Sequence, residues 1–138
     1  MRKRTLAREL ALQVLYQMDI TQQEPLLALE HFWLMTEFQD VENDVKKFTE
    51  ELVVGVTGNL KTIDAKIAEY ATNWELSRMA VVDRNVLRLG SCELLFRTDI
   101  PPKVSINEAV ELAKKFSGVQ AGKFVNGILD KIKGARTS

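Results

Sequence analysis

At 138 residues, with 46% hydrophobic and 28% charged side chains, the chain is sized for one well-buried domain and is too short for two ordinary ones. Three prolines, seven glycines and one cysteine exclude the collagen-like, disordered and disulfide-framework classes. Formal net charge is zero, from 19 basic and 19 acidic residues, which excludes a globally basic nucleic-acid binder and leaves a locally basic one open.

Apolar residues recur every three to four positions nearly throughout, and no stretch alternates convincingly as a strand. The spacing predicts seven helices, at about 4–18, 26–36, 42–57, 60–71, 78–97, 105–116 and 120–133, and so an all-α fold. In the first, Leu6, Ala7, Leu10, Ala11, Val14, Leu15 and Met18 make the core face. Arg8, Leu12 and Tyr16 fall outside it at a spacing of four, as an expected surface ridge of the residue types that binding faces favour. Pro25 suits the first turn of the second helix, and Gly58-Asn59 ends the third. Residues 52–56 resemble a short strand, but Val45, Phe48, Leu52 and Val56 continue a helical stripe. Apolar residues from Met79 to Phe96 surround the fifth helix on all sides, which predicts a central, buried helix. Asp83, Arg84, Arg88 and Glu93 then lie in or near the core, where charges need partners, and Arg84 and Arg88 are expected to pair with Glu93 or Glu108. Pro101-Pro102 interrupts the chain, and Ser105-Ile106-Asn107-Glu108 reads as a capping box opening the sixth helix. The last helix buries Ala121, Val125, Ile128, Leu129 and Ile132. Phe124 lies at the edge of that face beside Lys123, a candidate platform for a base or a closure of the core, with Gly118, Gly122 and Gly127 clearing space around it.

Charge is distributed unevenly along the chain. Residues 1–8 carry Arg2, Lys3, Arg4 and Arg8 and no acid, whereas residues 19–51 carry nine acids against Lys46 and Lys47. Lys131, Lys133 and Arg136 make the other end basic too, so a polyanion site built from both chain ends competes with ordinary solvated charge as the reading. Catalysis has little support. Gly58-Asn59-Leu60-Lys61-Thr62 lacks the spacing and the preceding strand of a phosphate loop, and the lone Cys92 sits among apolar residues. With one histidine, His31, a structural metal is not expected, no cofactor cleft is evident, and a binding protein is the expectation. No apolar run approaches the roughly 20 residues needed to cross a bilayer. Arg8, Glu9 and Gln13 interrupt any secretory signal, and a reducing cytoplasm is expected.

Four stretches then stand together in order and spacing: Ala7-Arg8-x-x-Ala11-x-Gln13-x-Leu15-Tyr16; Asp83-Arg84-Asn85-Val86-Leu87-Arg88 with Glu93; Ile100-Pro101 through Ile106-Asn107-Glu108-Ala109-Val110-Glu111-Leu112-Ala113-Lys114; and Lys123-Phe124-Val125-Asn126-Gly127-Ile128-Leu129. Across nearly the whole chain they resemble the NusB family of bacterial transcription antitermination proteins. The resemblance implies two helical subdomains, a three-helix bundle over 1–58 and a four-helix part over 59–138 around the central helix. It implies no catalysed reaction. It also implies pairing with NusE, a small-subunit ribosomal protein, on the single-stranded boxA element of ribosomal RNA leaders, within the RNA polymerase antitermination complex. Carried over position by position, Arg2, Lys3, Arg4, Arg8, Gln120, Lys123 and Phe124 would contact RNA, and Tyr16 and Asp83 would face NusE. Thr5-Leu6 breaks the basic cluster, and Gln120 stands where some relatives have an acid. Two other readings share this fold: a homodimeric interaction module with its RNA face occluded, and the RNA-binding domain of an RNA cytosine methyltransferase. For the latter the sequence carries no catalytic-cysteine motif.

Overall fold

The computed structural model describes residues 2–136 without the side chains of Thr36 and Arg136, so the tail charge expected at Arg136 lies outside the described residues. It contains α1 (Lys3–Thr21), α2 (Pro25–Leu34), α3 (Asn43–Gly58), α4 (Leu60–Tyr70), α5 (Val81–Phe96), α6 (Pro102–Ser117) and α7 (Val119–Arg136), with single 3₁₀ turns at Thr36–Phe38 and Leu76–Arg78. Each helix the periodicity predicts is present, residues 52–56 are helical, and no strand occurs among the described residues. The differences are at helix ends, where polar side chains rather than apolar spacing decide.

The α2 start follows local chemistry: Glu24 accepts the N–H groups of Leu26 and Leu27 at 3.1 and 3.2 Å, and Pro25 fills the first position. Helix α1 continues one turn past its last apolar core residue, ending at Gln22 with φ 61°, whose N–H donates to the Met18 carbonyl at 2.7 Å. That extra turn carries Asp19 to α5. Helix α6 begins a turn early, because Pro102 takes the first helical position, where the missing N–H costs nothing. The expected capping box is therefore absent. Ser105 is already inside the helix and donates to Glu93 Oε1 at 2.8 Å, while Glu108 accepts from Thr5 and Arg8.

Helix α5 is the central element, packed against α1, α3, α4, α6 and α7, with Val86, Leu87, Leu89 and Leu94 buried. Phe96, its last residue, is exposed instead of buried, because it lies past the helices that cover the rest. Gly90 permits the closest contact. A Cβ there would stand 2.6 Å from Leu129 Cδ1 and 3.3 Å from Ala109 Cβ, so a larger residue would push α6 and α7 away.

Arg84, Arg88 and Glu93 of α5 are paired, though not all with the expected partners, while Asp83 Oδ1 and Ser91 Oγ are buried without one among the described residues. Arg84 grips Asp19 through Nε (2.6 Å) and Nη2 (2.8 Å), and Arg88 grips Asp64 at 2.9 and 3.0 Å while also reaching Asp19 at 3.2 Å. Asn85 donates to Asp19 at 2.9 Å. Glu93 and Glu108 are taken by Arg8, so Arg84 and Arg88 bind acids that α1 and α4 bring to them. Burial alone would raise the Asp19 carboxyl, but hydrogen bonds from Arg84 and Asn85 and the charges of Arg84 and Arg88 hold it below the usual carboxylate value.

Candidate nucleic-acid interface

Helices α1 and α6 run side by side in the same direction. Thr5 and Arg8 meet Glu108, Glu9 meets Lys115, and Leu12 and Tyr16 share a groove with Phe116. The two regions that charge and helix wheels single out therefore do not close into one pocket. They stand at opposite ends of a seam, since α1 rises about 18 Å from Arg4 to Tyr16 at roughly 1.5 Å per residue.

At the N-terminal end, Arg2 and Arg4 line a groove with Thr5, Arg8, Pro101 and Val104 and with two acids, Asp99 and Glu108, that are bound to Arg97 and Arg8. The Arg4 guanidinium lies 4.3 Å from the Phe48 ring centroid, and Arg97 stacks near the same ring at 5.3 Å. Lys3 turns the other way, bridging Glu42 at 2.9 Å and Asp44 at 3.0 Å, and these acids hold its ammonium above the ordinary value. It contributes little free positive charge to the seam.

Arg8 and Leu12 depart from the expected exposed ridge. They are 3% and 4% exposed, and only Tyr16, at 39%, reaches the surface. Helix α1 packs against α3 on one side and α5 on another, so its buried arc is wider than its apolar stripe. Arg8 donates Nε and Nη2 to the two oxygens of Glu93, both at 2.8 Å, and Nη1 to Glu108 at 3.0 Å. Burial would lower the guanidinium pKa, but Glu93 and Glu108 outweigh it and hold it above the ordinary value.

At the other end, Gly118 alone separates α6 from α7. It adopts φ 111°, a conformation that side-chain-bearing residues rarely take, and returns its N–H to the carbonyls of Ala113 and Lys114. The reversal places Gln120, Lys123 and Phe124 on the first turns of α7, with Gln120 and Lys123 exposed and Phe124 half-buried. A Cβ on Gly122 would stand 2.8 Å from Lys114 Cγ, so this glycine makes room for an α6 side chain, whereas at Gly118 and Gly127 the space is open. Phe124 lines a groove of about 420 Å³ with Trp74, Arg78, Asp83, Ser117 and Gln120. Tyr16 lines a neighbouring groove of similar volume with Leu12, Gln13, Phe38, Val82 and Phe116. Consecutive residues on α5, Val82 and Asp83, thus face different grooves, and Tyr16 and Asp83 do not share one. Trp74 and Arg78, which apolar spacing does not single out, lie in the short link before α5. The signal available there was an unprompted tryptophan among polar residues.

Potential catalytic groups are kept apart. Burial pushes the Cys92 thiol up to about 11, so it stays protonated, and His31 is exposed on the outer side of α2 with Gln23 3.1 Å from its Nδ1. Among the described residues no group of three or more histidine, cysteine or acidic side chains is placed to hold a metal, and no helix is long and apolar enough to cross a membrane.

The NusB family model matches residues 5–134. The transcription antitermination protein NusB of an Anaeromyxobacter species is 53% identical over 130 residues, covering 94% of this chain and 89% of that protein. The chain belongs to the NusB family. Among solved structures, NusB of T. maritima superimposes with a TM-score of 0.87 at 38% identity, covering 98% of this chain and 93% of that one. The structure of antitermination factors NusB and NusE in complex with double-stranded RNA gives a TM-score of 0.86 at 33% identity, with 98% of both chains covered. The NusB fold therefore extends over the whole seam, both grooves included.

Proposed function

We propose that this chain is an RNA-binding transcription antitermination factor that pairs with NusE and holds the single-stranded boxA element of ribosomal RNA leaders for the RNA polymerase antitermination complex in the cytoplasm. It catalyses no reaction. The observation that carries the reading is the seam itself, which in a NusB-family chain presents Arg2 and Arg4 at one end and, at the other, Gln120 and Phe124 in a groove with Lys123 exposed beside it. A strand laid along it meets cations suited to phosphates at the two ends and an aromatic face suited to a base at one of them, and between them passes Glu9 and Glu108, neutralised by Lys115 and Arg8.

Within that reading the residues divide the work. Arg2, Arg4 and Lys123 neutralise phosphates, Phe124 stacks on a base, and Gln120 reads a base edge. Lys3 joins only by giving up Glu42 and Asp44. Arg8 acts from below, fixing α1 to α5 and α6 so that the residues before it are presented in register. NusE takes the Tyr16 groove, where an exposed tyrosine above apolar walls supplies an anchor. Asp83, on the far side of Val82, carries the NusE face into the neighbouring groove.

Fluorescence anisotropy tests this with labelled boxA RNA, a scrambled strand and a boxA duplex, each titrated with and without NusE at two salt concentrations. The expected result is preference for the boxA strand, strengthened by NusE, with RNA tightening NusE binding by the same factor. Equal, weak binding to all three that NusE leaves unchanged overturns the proposal.

A further inference from the structure

Phe48 of α3 is 5% exposed, and three guanidinium groups gather over its ring: Arg4 at 4.3 Å from the centroid, Arg97 at 5.3 Å and Arg8 at 5.4 Å. Two of the three are already committed to carboxylates. Arg8 is bound to Glu93 and Glu108, and Arg97 to Asp99 and Glu51. Arg4 is exposed and makes no ion pair among the described residues, so its charge and its N–H donors are unspent. Asp99, the acid in the groove that Arg4 lines, is occupied at both oxygens by Arg97, each at 3.0 Å.

Lys3 shows the alternative one residue away. Glu42 and Asp44 hold its ammonium at 2.9 and 3.0 Å, which places it and cancels its charge. An aromatic ring holds a cation differently. Its quadrupole attracts the guanidinium, yet it carries no net charge and offers no carboxylate lone pairs, so a cation resting on it is placed without being neutralised. Placement matters at this end, because α1 opens at Arg2 with no side-chain cap and no acid in its first turn. Such a turn frays unless side chains tie it down. An arginine loose in solvent gives up rotamer freedom when it meets a phosphate, and one already seated on a ring gives up less.

We propose that Phe48 is a positioning residue for RNA: it seats Arg4 at the mouth of the N-terminal groove with its charge intact, so that the guanidinium is in place before a phosphate arrives. This rests on the RNA-binding reading above and deepens it, because it separates two neighbouring cations, Arg4 presented and Lys3 neutralised. Phe48 acts through Arg4 and touches no RNA itself.

The test is a double-mutant cycle of Phe48→Leu, Arg4→Ala and the double variant, each titrated with boxA RNA and a scrambled strand over a range of salt, with thermal melting to check folding. Phe48→Leu keeps an apolar side chain in the core and removes the ring. Arg4→Ala alone should cost about threefold in RNA affinity and about 0.7 of the logarithmic salt slope. Phe48→Leu should reproduce most of that affinity loss, and Arg4→Ala added to it should cost little more. NMR of wild type supplies a readout that needs no core substitution. The Arg4 side-chain protons should be shifted upfield by the Phe48 ring current, and should stay so when boxA RNA is added while the Arg4 Nε–H signal moves. Unshifted Arg4 protons, or a shift that vanishes on adding RNA, overturn the seat whether or not Phe48→Leu folds. A folded Phe48→Leu in which Arg4→Ala costs as much as in wild type overturns it too, and leaves the RNA reading intact if wild type prefers boxA. Failure of wild type to prefer boxA over the scrambled strand overturns both.

Discussion

The two ends of the α1–α6 seam use polar groups in opposite ways. Around Arg8, both carboxylate oxygens of Glu93, one of Glu108 and the hydroxyls of Thr5 and Ser105 are bound to one another. Around Phe124, a tryptophan is left in solvent and a buried carboxylate oxygen has no donor. The first arrangement fixes three helices. The second leaves interactions unmade within the protein, so a ligand can make them. Charge alone does not distinguish the two ends; their hydrogen bonds and exposed aromatic surface do.

The contrast breaks most sharply if the paired end is cut. Glu93→Ala strands a buried Arg8 guanidinium and should cost about 3–5 kcal/mol, read as a shift in the urea midpoint. If the stability barely moves, Arg8 has found water or another partner, and the end is less closed than its geometry indicates. Next in size is acid sensitivity. The Asp19 carboxyl lies below its ordinary value in the folded protein, so its contribution is complete above the unfolded value of 3.8 and is lost as pH falls through the folded one. Unfolding followed against pH should show the loss for wild type and flatten in Asp19→Asn, which starts less stable at neutral pH.

At the open end, Phe124→Ala should weaken RNA binding by about 1–3 kcal/mol with the salt slope unchanged, because stacking releases no counterions. The smallest effect is expected at Arg4. Arg4→Ala should reduce the magnitude of the logarithmic salt slope by about 0.7, the value for one phosphate contact on a single strand, with a modest loss of affinity. A titration series in salt distinguishes the two variants. An equal salt slope in wild type and Arg4→Ala removes Arg4 from the phosphate path.

Much of this was legible in the residues. Seven amphipathic segments, the central place of α5 and the edge position of Phe124 follow from apolar spacing, because a helix buries whatever recurs on one side of it. The family motifs carry the expectation of RNA contacts at both chain ends. Spacing misjudged Arg8 and Leu12, since a wheel assumes one buried face and α1 has two packed sides. It also missed Trp74, whose importance lies in meeting Phe124 from 50 positions away in sequence.

The sequence by itself determined the elements, the fold class and the family, because these rest on local periodicity and on motifs with fixed spacing. Only the tertiary structure decided which charges pair, that Arg8 is buried while Tyr16 is not, and that the tryptophan and Asp83 face one groove. Those outcomes depend on where separate helices come to lie against one another. A side chain's solvent and partners are properties of that packing and are not encoded in its neighbours along the chain.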